Sequence, residues 1–82
     1  MMKVKVKFFA ALRDRVGAAE VIKDMPEGCT VGELWKAMQQ DYPRLAGVDM
    51  KLLFAVNREY VKSGEILKEN DEVVFVPPVS GG

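Results

Sequence analysis

Thr30-Val31-Gly32-Glu33-Leu34-Trp35-Lys36-Ala37-Met38-Gln39-Gln40-Asp41-Tyr42 is the stretch on which the fold turns. Val31, Leu34, Trp35 and Met38 recur at i, i+3, i+4 and i+7, and Tyr42 extends the same stripe. Glu33, Lys36, Gln39 and Gln40 cover the other side. Thr30 is a good N-cap, and Glu33 at the third helical position completes a capping box. Cys29 before the cap and Leu34 in the next turn form a hydrophobic staple. Pro43 ends the pattern, because the residue before a proline is driven out of helical geometry. Each large side chain of the stripe contributes roughly 1.5–3 kcal/mol once buried, which puts this helix at the centre of the expected core.

The flanks read as strands. Over Lys3 to Phe9, Val4, Val6 and Phe8 point one way and Lys3, Lys5 and Lys7 the other, the period of a half-buried strand. Ala10 to Val16 is rich in helix formers and closes on Gly17, a C-terminal cap. Ala19 to Met25 is a second strand, stopped by Pro26-Glu27-Gly28. Beyond the main helix, Arg44 to Met50 has no firm period and reads as a connection. Leu52 to Val56 is a buried strand bounded by Asn57, Tyr60-Val61 a short edge strand, Ser63-Gly64 a turn, and Ile66-Leu67 an apolar plug. Asn70-Asp71 is a turn signal, asparagine tolerating positive φ. Glu72 to Val76 is the last strand, expected beside the first because Val73 and Phe75 match Val4, Val6 and Phe8 in offering an inward apolar face. The class is therefore α+β: a β-grasp, ubiquitin-like arrangement with a mixed sheet of four to five strands on one main helix. Residues 1–76 form the domain and residues 77–82 an extended tail.

Composition narrows the chemistry. The 82 residues allow one small domain, and 49% hydrophobic with 29% charged residues suits a folded globule. Twelve basic residues balance 12 acidic ones, so a nucleic-acid binder, which needs a basic face, is not expected. The apolar runs Leu52–Val56 and Val73–Val76 are too short to cross a bilayer, and the N-terminus lacks the apolar segment of a secretory signal. One cysteine fits a reducing compartment and a cytoplasmic location. There is no histidine, hence no Ser-His or Cys-His dyad, and no carboxylate or cysteine cluster suggests a metal site. A self-contained enzyme is not expected; if the chain takes part in catalysis, it is itself a reactant. Cys29 is read as the staple rather than a sulfur site, and Trp35 and the methionines as core.

Two features remain. With Val73 and Phe75 inward, Val74 and Val76 share the outer face with Glu72; Phe9 lands there too, and Tyr60 can join it. Phe9, Tyr60 and Val76 then form either a partner surface or strand-end side chains folded over the core rim. The chain finishes Pro77-Pro78-Val79-Ser80-Gly81-Gly82. The prolines stop the ladder and stiffen the exit, and two glycines present a carboxylate with no Cβ beside it. A frayed terminus is the bland alternative.

Phe8-Phe9-Ala10 with Arg13 and Gly17, Ala55-Val56-Asn57, Leu67 with Asp71-Glu72-Val73, and the ending Pro77-Pro78-Val79-Ser80-Gly81-Gly82 together resemble MoaD, the family of small subunits of molybdopterin synthase. A bare Gly-Gly is shared with ubiquitin and with ThiS, the thiazole sulfur carrier; the Pro-Pro-Val-Ser-Gly-Gly ending is the specific part. Asn70 stands where the family commonly has glycine, and Val76 where some relatives carry an aromatic. The resemblance implies that ATP and an E1-like adenylyltransferase, MoeB in bacteria, activate Gly82, and that a sulfurtransferase converts it to a thiocarboxylate. The tail would then enter the large subunit, MoaE, in a heterotetramer and give sulfur to cyclic pyranopterin monophosphate. It further implies that Gly81, Ser80, Val79, Pro78 and Pro77 guide the tail, that Phe9, Tyr60 and Val76 dock the body, and that this chain binds no cofactor, nucleotide or metal. Two other readings stay open: a carrier for thiazole, cysteine or tRNA thiolation, and a ubiquitin-like modifier or binding module.

Overall fold

The computed structural model describes residues 1–46 and 52–76, with the backbone alone at Ala10 and Ala11. Its elements run β1 (Met2–Phe8), α1 (Ala10–Val16), β2 (Glu20–Met25), α2 (Val31–Asp41), a 3-10 turn (Pro43–Leu45), β3 (Leu53–Val56), β4 (Glu59–Val61) and β5 (Glu72–Val76). Among the described residues the strands form one five-stranded sheet in the order β2-β1-β5-β3-β4. β1 and β5 pair in parallel at its centre, and the other neighbours are antiparallel. This is the β-grasp fold expected from the alternation and the amphipathic helix.

The inner face of the sheet meets the stripe of α2. Val6, Val73 and Phe75 from the two central strands are fully buried with Val31 and Leu34 of the helix. Phe75 is the hub: its ring lies 4.9 Å from Trp35, 5.7 Å from Phe54 and 6.1 Å from Phe8, centroid to centroid. These are separations at which aromatic rings gain beyond their buried area.

Local chemistry fixes the ends of the elements. The Thr30 hydroxyl accepts from the Glu33 N–H at 3.2 Å and the Glu33 carboxylate accepts from the Thr30 N–H at 2.9 Å, completing the expected capping box. Two N–H groups of the first turn of α2 that have no intrahelical partner donate to the chain before β5: Val31 to the Glu65 carbonyl and Gly32 to the Ser63 carbonyl, both at 2.9 Å. A Cβ on Gly32 would stand 3.2 Å from Ser63, so glycine here permits the close approach. Gly17 closes α1 at φ +83°. Tyr42 takes extended geometry before Pro43, and its ring meets Phe8 edge-on.

Three readings are corrected. The connection after α2 holds the 3-10 turn, whose Leu45 is fully buried; three residues are too few to show a period. The remainder of that connection, residues 47–51, lies outside the described residues. Of the plug, only Leu67 is buried; Ile66 is 57% exposed, because its backbone bridges to Thr30 and turns its side chain outward. The boundaries of four expected strands also move by a residue: β1 runs Met2–Phe8, β2 begins at Glu20, β3 at Leu53 and β4 at Glu59.

Candidate functional site

The outer face of the sheet carries the features that packing does not explain. On β5, Val73 and Phe75 point into the core, so Glu72, Val74 and Val76 face out, each half-buried. The register sets Leu53 opposite Val76, and Ala55 opposite both Val74 and Tyr60, on the same face. Phe9 follows β1 directly, in extended geometry as the N-cap of α1. The result is an open groove of about 350 Å³ walled by Phe9, Ala55, Tyr60, Val74 and Val76, with Lys7, Arg58 and Glu72 on its rim. Phe9 and Tyr60 are 52% and 73% exposed, which is unusual for aromatic rings that could have been buried. Leu53, 51% exposed at the end of the same row, widens the apolar area beyond the groove.

The groove's wall is pinned from beneath by a polar network. Asn57 and Arg58 form the two-residue turn between β3 and β4, at φ +50° and +71°, the positive values that a type I′ hairpin turn requires. The Asn57 amide donates to Asp71 at 2.9 Å and its oxygen accepts from the Glu72 N–H at 3.0 Å. The second Asp71 oxygen accepts from the Lys68 N–H at 2.7 Å. Asp71 is the buried charged residue of the described chain, and these bonds keep its carboxylate satisfied. The hairpin bearing Tyr60 is thus tied to the start of β5.

The structure brings Phe9, Tyr60 and Val76, predicted from alternation, around one concavity. It adds Ala55, named in the sequence only within the family motif, and Arg58, which the sequence did not single out, with Leu53 just beyond the groove. Pro77, Pro78, Val79, Ser80, Gly81 and Gly82 lie outside the described residues; the chain leaves for them from Val76, at the groove itself. Cys29 is 6% exposed, in the core beside the cap of α2. Burial first, and then the Glu33 carboxylate, push its thiol above the ordinary range, which keeps it protonated and poorly nucleophilic. Among the described residues no group of three or more histidine, cysteine or acidic side chains is placed to hold a metal. No helix among them is long and apolar enough to cross a membrane.

Comparison with known proteins places this chain in a family. The family model described as "ThiS family" matches residues 6–82, nearly the whole chain. The chain belongs to the ThiS family. Among curated relatives, it is 47% identical to the molybdopterin synthase sulfur carrier subunit of Escherichia coli (strain K12), across 96% of this chain and 99% of that one. A solved structure described as a putative molybdopterin converting factor, subunit 1, from Pyrococcus furiosus superposes with a TM-score of 0.89 at 32% identity, covering 96% of this chain and all of the other. A third likeness, at TM-score 0.87 and 28% identity over 98% of this chain and 99% of that one, is to the small archaeal modifier protein 1 of Haloferax volcanii. Membership of the family agrees with the resemblance carried by the Phe8-Phe9-Ala10, Ala55-Val56-Asn57 and terminal motifs.

Proposed function

We propose that this chain is the sulfur carrier subunit of a molybdopterin synthase. The observation that carries the reading is the end-to-end match to a sulfur carrier subunit at 47% identity. The apolar groove at the exit of the tail supports it, since it gives the body a place to dock while the tail works elsewhere. Six extended residues span at most about 20 Å, so the Gly82 carboxyl can act well inside a partner while the groove stays on that partner's surface.

The chemistry follows from the terminal carboxylate. A carboxylate resists nucleophiles. Transfer of AMP from ATP by an E1-like adenylyltransferase makes a mixed anhydride at Gly82 and releases pyrophosphate. The terminal sulfur of a sulfurtransferase persulfide attacks the acyl carbon and AMP leaves. A thiol then cleaves the acyl disulfide so formed, leaving a disulfide on the donor side and a thiocarboxylate at Gly82. Its sulfur is ionised at neutral pH and strongly nucleophilic. Inserted into the large subunit, its sulfur attacks a carbon of cyclic pyranopterin monophosphate with loss of an oxygen leaving group. Water cleaves the resulting thioester to return the Gly82 carboxylate, and two such deliveries supply the sulfurs of the dithiolene. The large subunit supplies the acid–base groups, in keeping with a chain that has no histidine. In this reading residues 77–82 are the guided tail, Phe9, Tyr60 and Val76 the docking residues, the chain binds no cofactor of its own, and the compartment is the cytoplasm.

Intact-mass measurement after co-expression with the activating enzyme tests this: sulfur should replace one oxygen at Gly82. A chain truncated after Ser80 that still supports dithiolene formation at the normal rate overturns it. The likeness to small archaeal modifier protein 1 favours a second reading, a protein modifier. That reading predicts isopeptide conjugates between Gly82 and target lysines, visible as remnants after proteolysis.

A further inference from the structure

Arg58 occupies a position that glycine would fill with less strain. At φ +71° it sits in the left-handed region, where a side chain costs about 1–2 kcal/mol and where the second residue of such a hairpin is commonly glycine. Asn57 explains itself through its bonds to Asp71 and Glu72; Arg58 has no such partner, and among the described residues it makes no ion pair. Its neighbour Glu59 lines a different hollow, with Val56 and Asp71. Arg58 lines the apolar groove, and the other two charges there cancel, Lys7 lying 3.4 Å from Glu72. The rim therefore holds one uncompensated positive charge beside an apolar trough. Backbone strain retained at an exposed site that contributes nothing to the core points to function.

We propose that Arg58 is a specificity-determining residue for the docking partner, pairing with a carboxylate that lies beside the apolar side chain entering the groove. The inference rests on the proposed docking of the large synthase subunit and names the chemistry of that subunit's contact. The planar guanidinium can meet a carboxylate with two parallel hydrogen bonds, which a flexible ammonium cannot reproduce. A rim charge of this kind acts on the association rate and on partner choice, and salt screens it.

The test uses the full chain and the large synthase subunit encoded in the same genome. Arg58→Gly should leave the unfolding midpoint unchanged or higher, because glycine relieves the left-handed strain. It should weaken binding of the large subunit about three- to tenfold at low salt, mostly through slower association, with the difference shrinking towards ~0.5 M salt. Arg58→Lys should recover part of the loss. Arg58→Glu should lose more, and a Glu→Lys or Asp→Lys change on the partner should restore it. Equal affinity and equal salt dependence for wild type and Arg58→Gly overturn the role of Arg58 while leaving docking intact. If the wild-type chain itself does not bind the large subunit, the docking reading and this inference both fall.

Discussion

The two halves of the outer sheet face share one backbone geometry and opposite chemistry. On the β1–β2 half, the outward positions other than Ile22 are charged and paired: Lys3 meets Asp24 at 2.9 Å and Lys5 meets Glu20 at 3.8 Å, all with well-exposed side chains. On the β5–β3–β4 half, the same positions hold Val74, Val76, Leu53, Ala55 and Tyr60. Lys7, paired with Glu72, stands on the border. The inner face is apolar on the three middle strands, β1, β5 and β3, so the core did not demand the difference. One half is built to stay in water and to leave the edge strand β2 unattractive to other strands. The other keeps apolar area in water beside Val76, the last described residue.

The largest effect expected from this contrast comes from making the same substitution on each side. Tyr60→Asp places a charge in the apolar trough and should weaken large-subunit binding by about a hundredfold or more, on the order of 3 kcal/mol, as for the central anchor of an interface. Ile22→Asp, at a residue 59% exposed on the charged half, should change binding less than twofold. Neither should move the unfolding midpoint appreciably, since both side chains are already in water. Titration calorimetry with the two variants decides it; equal losses would erase the distinction between the halves.

A smaller effect tests what holds the apolar half in place. Asp71→Ala leaves the Asn57 amide and the Lys68 N–H without their acceptor, and should lower stability by about 1–3 kcal/mol in urea unfolding. Binding should weaken beyond the fraction unfolded, because the hairpin carrying Tyr60 loses one of its ties to the start of β5, the Asn57–Asp71 bond.

The smallest effect belongs to the charged half. The Lys3 ammonium, by hydrogen bond and by charge, lowers the Asp24 pKa, and Asp24 in turn raises that of Lys3. A depressed carboxyl contributes stability above its unfolded value that is lost as pH falls through the folded one, so the Asp24 contribution disappears only below about pH 4. A raised ammonium contributes below its unfolded value and loses that contribution only above about pH 10. Asp24→Asn should therefore run parallel to wild type in stability from about pH 5 to 9 and converge with it in acid. A divergence within the neutral range would show that the pair is coupled to a group beyond these two.

Much of the fold was legible because its signals were local. Alternation in Lys3 to Phe8, the Thr30–Glu33 box and the glycine after Val16 each act within a few residues, and each appears where the residues placed it. Leu45 and Asp71 were not legible, since burial of a single leucine in a three-residue turn, or of a carboxylate held by a distant asparagine, is decided by chain segments far away in sequence. The site divided in the same way. Phe9 and Val76 follow from alternation at strand ends, whereas Leu53 was hidden inside the uniformly apolar run Leu52–Val56, whose outward member only the register with β5 identifies. Arg58 carries no sequence signal; its meaning comes from a backbone angle and from what lines the groove.

The parallel pairing of β1 with β5 has a consequence for how the protein comes into being. Val6 lies beside Val73 in the middle of the sheet, so the central ladder joins segments made near the start and near the finish of synthesis. Loops that long close slowly. A nascent chain halted before Glu72 has a β1–β2 hairpin and a β3–β4 hairpin with nothing between them, and Val6 and Phe8 stay wet. Incomplete products should therefore remain open to proteolysis, and only chains that have reached the last strand can shelter their middle.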